Sequence, residues 1–285
     1  MYRRAPCKSC VVAILPLTES AVDEVAERLG FAERPAPTAE GLAQVYSAWC
    51  RQVPFDNLRK LVALHFDLPQ IPGIEPADFF AAWQLTGAGA TCWGSNNALH
   101  ALLVGLGFDA QLTAASMFDV DKNHGTTIVT IDGQRLIVDT ALHGDVPAPM
   151  IAGETTVVSY FGYETTVRSD ENGWLFDHPT PDPAFRIPCR ILGDLTLETT
   201  VAANEKTRGW SPFNTGIMAG INDDAGVWML KDNGLARFDA DGLATRDLTD
   251  TEVDEFLVEV VGHSPQLVAE VRAVLDVQAG KVDLD

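Results

Sequence analysis

Apolar residues in the N-terminal third of the chain recur at the spacing of amphipathic helices. Between Glu19 and Leu64 they lie three and four residues apart, and Thr38 stands before one run as an N-cap residue. A further helix is predicted over PADFFAAWQLT, before the small residues of segment 87–90, which permit close approach of the backbone. The pattern indicates a helical bundle.

The next helical pattern, TCWGSNNALHALLVGLGF, has a cysteine close to its start. Four of its leucines share one apolar face. Gly107 is suited to end the helix, because glycine readily takes the left-handed conformation that follows many helix C-termini. Cys92 is therefore expected at the N-terminus of a helix.

Short apolar runs separated by turn residues follow. Strands are predicted in DAQLTAASMFDV, TTIVTI, RLIVDTAL, TTVVSYFGYETTVRSD, GWLFDHPT and FRIPCRILGDLTLETT, and Asp132-Gly133 favours a tight hairpin. The last third is predicted to hold two or three further strands and a pair of helices broken at Gly262. This order indicates an α+β fold with an antiparallel sheet or barrel, divided into regions 1–91, 92–200 and 201–285.

Composition limits the setting in which the protein works. The chain has 285 residues, 46% of them hydrophobic, and a formal net charge of −20, which opposes nucleic acid and anionic membrane surfaces as partners. It has no apolar run of about 18 residues and no clear cleavable leader, so a cytoplasmic location is expected. The five cysteines are an odd number, which leaves at least one free thiol.

Three residues are candidates for nucleophilic catalysis. A helix N-terminus stabilises a thiolate, which favours Cys92 as the nucleophile. In a hairpin that turns at residues 132–133, His124 and Asp139 lie at the same open end of the two strands, within about one residue of direct pairing. His124 would then act as the base and Asp139 would orient it. Taken singly, the three could equally be a core cysteine, a loop histidine and a turn aspartate.

Four motifs resemble the arylamine N-acetyltransferase family. They are Arg28-Leu29-Gly30, the VPFDNL run 53–58, the CWGSN run 92–96 and the SPF run 211–213. The resemblance implies that the family's catalytic cysteine, histidine and aspartate are Cys92, His124 and Asp139, in a papain-like arrangement. It also implies an N-terminal helical bundle, a central β-barrel and a C-terminal α/β lid. The implied activity is ping-pong acyl transfer from a thioester, usually acetyl coenzyme A, to an amine, with no bound cofactor.

The chain also departs from the family pattern beside the cysteine and after the aspartate. Ala88-Gly89-Ala90 replaces the family's Arg-Gly-Gly, Gly94 replaces its glutamate, and segment 140–144 replaces Val-Gly-Phe-Gly. These changes favour a restricted donor or acceptor, with bulkier apolar acyl groups. Amide synthases that release polyketide chains as macrolactams, fed by an acyl carrier protein, are one alternative. A hydrolase using the same triad, or a binding module that has lost catalysis, is another.

Several other residues have candidate roles. Phe55, Trp93 and Phe213 are predicted to line the acyl pocket, although core packing is as plausible for Phe55. The backbone amides of Cys92 and Trp93 are candidates for the oxyanion site. No metal site is expected, because no histidine stands in a cluster with ligand spacing, and His143 is predicted to lie at the surface or in the pocket wall.

The remaining cysteines and the basic residues have weaker signals. Cys50 and Cys189 are expected to be small buried residues, and Cys7 and Cys10 form a single CxxC pair that specifies little. The densest basic stretch could meet the phosphates of coenzyme A or a phosphopantetheine arm, or could form a solvated face balanced by acidic neighbours. It consists of Arg186, Arg190, Lys206 and Arg208.

Overall fold

A computed structural model describes residues 16–118, 120–180 and 185–280. The Cys7–Cys10 pair lies outside the described residues. The helices are α1 (Glu19–Arg28), α2 (Ala39–Gln52), α3 (Leu58–His65), α4 (Pro76–Thr86), α5 (Cys92–Gly105), α6 (Leu197–Lys206), α7 (Asp250–Glu259) and α8 (Pro265–Gln278).

The first group of strands lies between α2 and α6. Its members are β1 (Phe55–Asp56), β2 (Asp109–Met117), β3 (Val120–Ile131), β4 (Gln134–Val138), β5 (Ala148–Pro149), β6 (Thr155–Tyr160), β7 (Tyr163–Asp170), β8 (Gly173–His178) and β9 (Ile187–Asp194). The second group lies between α6 and α7. Its members are β10 (Met218–Asp223), β11 (Gly226–Lys231), β12 (Gly234–Asp239) and β13 (Gly242–Asp247).

The strands form two antiparallel sheets. The larger has eight strands in the order β5-β4-β3-β2-β9-β8-β7-β6, and its two ends approach one another, so that it curls into a nearly closed barrel. The smaller has the order β1-β10-β11-β12-β13 and carries α7 and α8 on one face. The architecture is the predicted α+β arrangement of helical bundle, barrel and C-terminal α/β lid.

Helix starts are set by side chains that accept hydrogen bonds from first-turn amides. Thr38 accepts from the Gly41 amide, as its position in the sequence predicts. Thr196 and Thr199 form a reciprocal capping box that begins α6 at Leu197. The prediction of a strand through LTLETT was therefore wrong, because local capping outweighs the β propensity of its threonines.

Two other predictions of elements need correction. The second sheet has four consecutive strands, β10 to β13, where two or three were predicted, and a two-residue strand between α2 and α3 was not predicted at all. That strand, β1, pairs with β10, with Phe55 opposite Gly220. So short a segment has no periodicity of its own, and only its tertiary pairing makes it a strand.

The hairpin of β3 and β4 has the register expected from its turn. Asp132 and Gly133 both have positive φ, the geometry of a type I′ turn, and Thr127 lies opposite Val138. Val129 and Val138 of this hairpin pack into the core of the helical bundle together with leucines of α5. The hairpin is thereby held against the helix that begins at Cys92.

The loop between α4 and α5 is held from several sides. Asp56 accepts a hydrogen bond from the Gly89 amide at 2.6 Å, and the Thr86 carbonyl accepts one from the Ser264 amide at 2.8 Å. Gly87 is left-handed, with φ 72°, and a Cβ added there would collide with the Gly262 carbonyl. The segment before α8 therefore packs directly against the loop that leads to Cys92. Within the described residues, no helix is both long and apolar enough to span a bilayer.

Substitution of Gly87 tests how tightly this loop is packed. Gly87→Ala adds left-handed strain of about 1–2 kcal/mol and a steric clash of about 1–3 kcal/mol, so we expect a loss of roughly 2–5 kcal/mol in unfolding free energy. Gly30→Ala is the matched control, since Gly30 is also left-handed but an added Cβ has nothing within 4 Å. Urea denaturation measures both. Equal losses in the two variants would contradict tight packing at residue 87.

Candidate active site

Cys92 is the first residue of α5, and its side chain is only 6% exposed. Among the described contacts, its N-cap residue Thr91 makes no side-chain hydrogen bond to the helix. The amides of the first turn are therefore not used by a capping side chain, and they lie at the positive end of the helix dipole. This environment stabilises negative charge at the Cys92 sulfur and on an oxygen beside it.

The β3–β4 hairpin brings His124 and Asp139 together as the sequence predicts. His124 lies in β3, Asp139 follows the end of β4, and Nε2 of the imidazole is 2.6 Å from Oδ2 of the carboxylate. Both side chains are at most 1% exposed. Asp139 also accepts a hydrogen bond from the Ala141 amide at 2.9 Å, and the hydroxyl of Tyr46 in α2 donates to the Asp139 carbonyl at 2.7 Å. The helical bundle thus helps to position the end of β4.

The charges of Cys92, His124 and Asp139 affect one another's pKa values. Burial disfavours the charged imidazole, but the charge and hydrogen bond of Asp139 and those of Cys92 outweigh it and raise the pKa of His124 to about 10. Burial likewise disfavours the Asp139 carboxylate, but the adjacent His124 keeps its pKa below the usual range. Because Asp139 engages Nε2, Nδ1 is the ring nitrogen available to the Cys92 thiol. The three residues predicted from the sequence meet at one point.

Asn96 is a site residue to which the sequence analysis assigned no role. Its amide nitrogen donates to the Gly125 carbonyl at 2.8 Å, and its amide oxygen accepts from the Thr140 amide at 3.3 Å. It therefore ties α5 to β3 one residue after His124, and to the segment that follows β4 one residue after Asp139. The signal was present in the CWGSN motif, where asparagine stands one helical turn after the cysteine.

The two family-like motifs VPFDNL and SPF contact each other in the structure. Asn57 donates to the Phe213 and Gly216 carbonyls at 3.1 and 2.9 Å and accepts from the Met218 amide at 2.9 Å. The rings of Phe55 and Phe213 pack edge to face at 5.5 Å. Asn57 therefore positions both phenylalanines beside the site.

A large apolar cavity of about 910 Å³ opens at Cys92 and His124. Phe55 and Phe213 line it. Trp93, which was also predicted to line the pocket, does not border this cavity. Its ring is buried in the core beneath β3, against Gly125. The reason is helical geometry, because consecutive residues at the start of α5 point about 100° apart, so that only one of the two faces the cavity.

His143 lies in the wall of this cavity. It is 2% exposed, its ring packs edge-on against Phe55 at 6.2 Å, and its Nε2 lies over the backbone of Gly220. Its backbone is left-handed, with φ 49°, and its carbonyl accepts a hydrogen bond from Asn222. Of its two predicted locations, surface or pocket wall, the structure selects the pocket wall.

The departures from the family pattern beside Cys92 lie away from the large cavity. Ala90 and Gly94 line a separate cleft of about 10 Å³, and a Cβ added at Gly94 would meet the Gly73 carbonyl and the Ala90 side chain. Ala88 is completely buried. The space of the missing ionic side chains is thus filled by backbone and methyl groups. The expectation that their loss widens the approach to Cys92 was wrong, and the size of the cavity has another origin.

Two buried ionisable residues support the same region. His263 Nε2 lies 3.7 Å from Oδ2 of Asp56, the carboxylate that binds the Gly89 amide, and burial lowers the pKa of His263. Lys60 donates to Thr207 at 2.9 Å. Burial lowers the pKa of Lys60 to about 8, opposed in part by the charge of Cys92. No sequence motif indicated a role for either residue, because each contacts a residue that is distant along the chain.

The basic stretch named in the sequence analysis is largely matched with acidic partners. Arg190 contacts Asp170 at 2.8 Å, Arg208 contacts Glu205 at 2.7 Å, and Arg186 contacts Glu164 at 3.6 Å. These contacts favour a solvated, charge-balanced face over a phosphate site. Cys50 and Cys189 are buried, as predicted, and burial raises the pKa of Cys50 to about 12. The described residues contain no group of three or more potential metal ligands.

Comparison with known proteins agrees with this geometry. A family model described as N-acetyltransferase matches residues 38–264, which include Cys92, His124 and Asp139. The fold and this match define the chain as an acyltransferase. It belongs to the arylamine N-acetyltransferase family.

One curated relative and several solved structures are similar to the chain. Proansamycin X synthase of Amycolatopsis mediterranei (strain S699) is 24% identical over 159 residues, which make up 54% of this chain and span only 60% of that relative. The arylamine N-acetyltransferase from Mycobacterium abscessus has a TM-score of 0.75 at 19% identity, over 89% of this chain and 94% of that one. The enzyme from Salmonella typhimurium has a TM-score of 0.75 at 17% identity, over 90% and 98%. The structural matches show the shared fold.

The His124–Asp139 pair makes a pH-dependent contribution to stability. Because the folded pKa of His124, about 10, exceeds its ordinary value of about 6.5, this contribution is complete below about pH 6.5 and is lost as the pH rises through about 10. We expect the wild type to be more stable than Asp139→Asn at pH 6.5, with a difference that shrinks towards pH 10. Urea unfolding of both proteins across this range measures it. A difference that stays constant would show that the imidazole is not charged in the folded state.

Proposed function

We propose that Cys92 forms an acyl-enzyme with a thioester donor and passes the acyl group to an amine, with His124 and Asp139 completing the triad. The observation that carries this proposal is the position of the Cys92 thiol: it lies at a helix N-terminus, meets a buried imidazole–carboxylate pair, and faces an apolar cavity of about 910 Å³. A purely structural cysteine needs neither the coupled pair nor the cavity.

In the first half-reaction, His124 takes the thiol proton of Cys92 at Nδ1, and the thiolate attacks the thioester carbonyl. The amides of Cys92 and Trp93 are the candidate donors to the oxyanion of the tetrahedral intermediate. The intermediate collapses as the carbon–sulfur bond to the donor breaks, and the imidazolium returns its proton to the departing thiolate. Asp139 holds the imidazole and compensates its charge throughout.

In the second half-reaction, the amine attacks the Cys92 thioester. His124 removes the proton of the attacking nitrogen, the new amide bond forms as the bond to the Cys92 sulfur breaks, and the thiol is regenerated. The donor is a small-molecule thioester such as an acyl coenzyme A, or an acyl group carried on the phosphopantetheine of a carrier protein. The reaction needs no resident cofactor, because both half-reactions use only the triad and backbone amides.

A second candidate within this chemistry is an amide synthase, which joins a large acyl group to an amine of the same molecule. The cavity volume and the partial match to a protein named proansamycin X synthase favour it. Both candidates share the acyl-enzyme and differ in whether donor and acceptor are linked. A catalytically inactive binding module, the third alternative, is disfavoured by the triad geometry, since loss of catalysis leaves no pressure to keep the three groups aligned.

Substitution of Cys92 tests the acyl-enzyme. Cys92→Ala is expected to abolish, and Cys92→Ser to reduce by at least about a thousandfold, amide formation from an acyl thioester and an arylamine, because no thiolate remains to attack. Intact-mass spectrometry with a panel of thioesters should show one acyl increment on the wild type and none on either variant. Cys189→Ala serves as the control for a buried cysteine that does not line the described cavity. Full transfer by Cys92→Ser would refute the proposal.

The preferred donor is expected to be larger than acetyl. Filling an apolar cavity of this size releases transfer free energy that an acetyl group cannot supply, so we expect kcat/KM for dodecanoyl coenzyme A to exceed that for acetyl coenzyme A by about tenfold or more with one arylamine. Steady-state release of free coenzyme A measures both. Equal or better turnover of acetyl coenzyme A with aniline, relative to every longer donor, would contradict this preference.

A further inference from the structure

One face of the second sheet forms the floor of the large cavity. Alternation of side chains along each strand, together with the observed register, places two cross-strand rows on this face. The first row is Gly220, Met229, Ala236 and Thr245, and the second is Met218, Lys231, Gly234 and Asp247. Every residue of both rows borders the cavity.

The opposite face of the same sheet is closed by helices. Leu230 and Leu235, which alternate with the cavity rows, are buried against residues of α7 and α8 such as Phe256. One face of the sheet therefore packs against the helices, and the other face borders the cavity. What the cavity can hold depends on the side chains of that second face.

Small residues on this floor create much of the space. Gly220, Gly234 and Ala236 contribute at most a methyl group each. Gly220 is small because His143 packs on its backbone, but Gly234 has no such reason: its φ is not positive, and an added Cβ would meet only the Lys231 carbonyl at 3.4 Å. Backbone geometry and packing would both tolerate a larger residue there. Gly234 therefore leaves space in the cavity that neither its backbone geometry nor its packing requires.

The spacing of the strands gives the length of the first row. It crosses four strands, and strands lie about 4.8 Å apart, so the row from Gly220 to Thr245 measures about 14 Å. It begins under His143, which borders the same cavity as Cys92, and it ends at the exposed edge strand β13. Thr245 of this row and Asp247 of the second row are exposed on that strand. An apolar surface therefore leads from the catalytic end to a polar rim.

We propose that these two rows, the acyl floor, hold an extended apolar acyl chain of roughly 14 Å while its carbonyl is attached to Cys92. Gly234 and Ala236 determine the length and bulk that the enzyme accepts. The substrate class is thioesters of long-chain or polycyclic apolar acids, with any polar group at the far end, near Thr245 and Asp247. This inference rests on the proposed function and names its donor class.

A branched side chain on the floor should act as a block. In Ala236→Leu, three added carbon atoms project into the path of the chain, so the preference for dodecanoyl over acetyl thioesters, as a ratio of kcat/KM, is expected to fall about tenfold or more. Ala244→Leu is the matched control: it adds the same atoms on the neighbouring strand β13, at a position that alternates with Thr245 and so faces away from the cavity. Its ratio should equal that of the wild type. A ratio unchanged in Ala236→Leu would overturn the acyl floor.

A binding measurement separates this inference from the proposed function. Isothermal titration of the Cys92→Ala protein with dodecanoyl-N-acetylcysteamine reports occupancy of the floor without any chemistry. Adding Ala236→Leu should weaken this binding about tenfold or more, and adding Ala244→Leu should not. If the wild type forms no acyl-enzyme with any thioester, the proposed function fails while this titration still decides on the floor. Equal affinities in the Ala236→Leu and Ala244→Leu proteins would refute the acyl floor.

Discussion

The charge of Asp139 is the constraint on which the rest of the site depends. Its carboxylate is removed from water, and a buried charge is tolerated only if it is paired and hydrogen-bonded. The imidazole of His124 and the Ala141 amide meet this requirement directly. Asn96 adds a longer hydrogen bond to the carboxylate at 3.4 Å, and both Asn96 and Tyr46 hold the peptide group between Asp139 and Thr140. Helix α5, the hairpin and the bundle therefore all contribute hydrogen bonds around this one negative charge.

The sequence predicts this arrangement well because its determinants are local. The Asp132-Gly133 turn sets the register of β3 and β4, and the register alone brings His124 and Asp139 to the same end. The apolar face of α5 sets the start of the helix close to Cys92. Periodicity and turn chemistry act over a few residues, so they can be recognised in a single chain.

Features that the sequence does not predict depend on contacts between distant segments. Strand β1 exists because β10 pairs with it, and α6 begins where a capping box outweighs strand propensity. Trp93 was assigned to the cavity although its ring lies in the core, since which side of α5 faces the barrel is decided by packing. The acyl floor likewise becomes visible only when the register of four strands is known.

The contacts between the loop before Cys92 and the segment before α8 have a consequence for synthesis of the protein. Gly87 packs on Gly262, and the Thr86 carbonyl accepts a hydrogen bond from the Ser264 amide. The loop that leads to Cys92 therefore packs against a segment that is synthesised much later. On the ribosome, Cys92, His124 and Asp139 emerge well before residues 262–264 do. A growing chain therefore carries Cys92 next to a loop that still lacks these contacts. The loop can therefore reach its packed arrangement only after residues 262–264 have been synthesised and have docked against it.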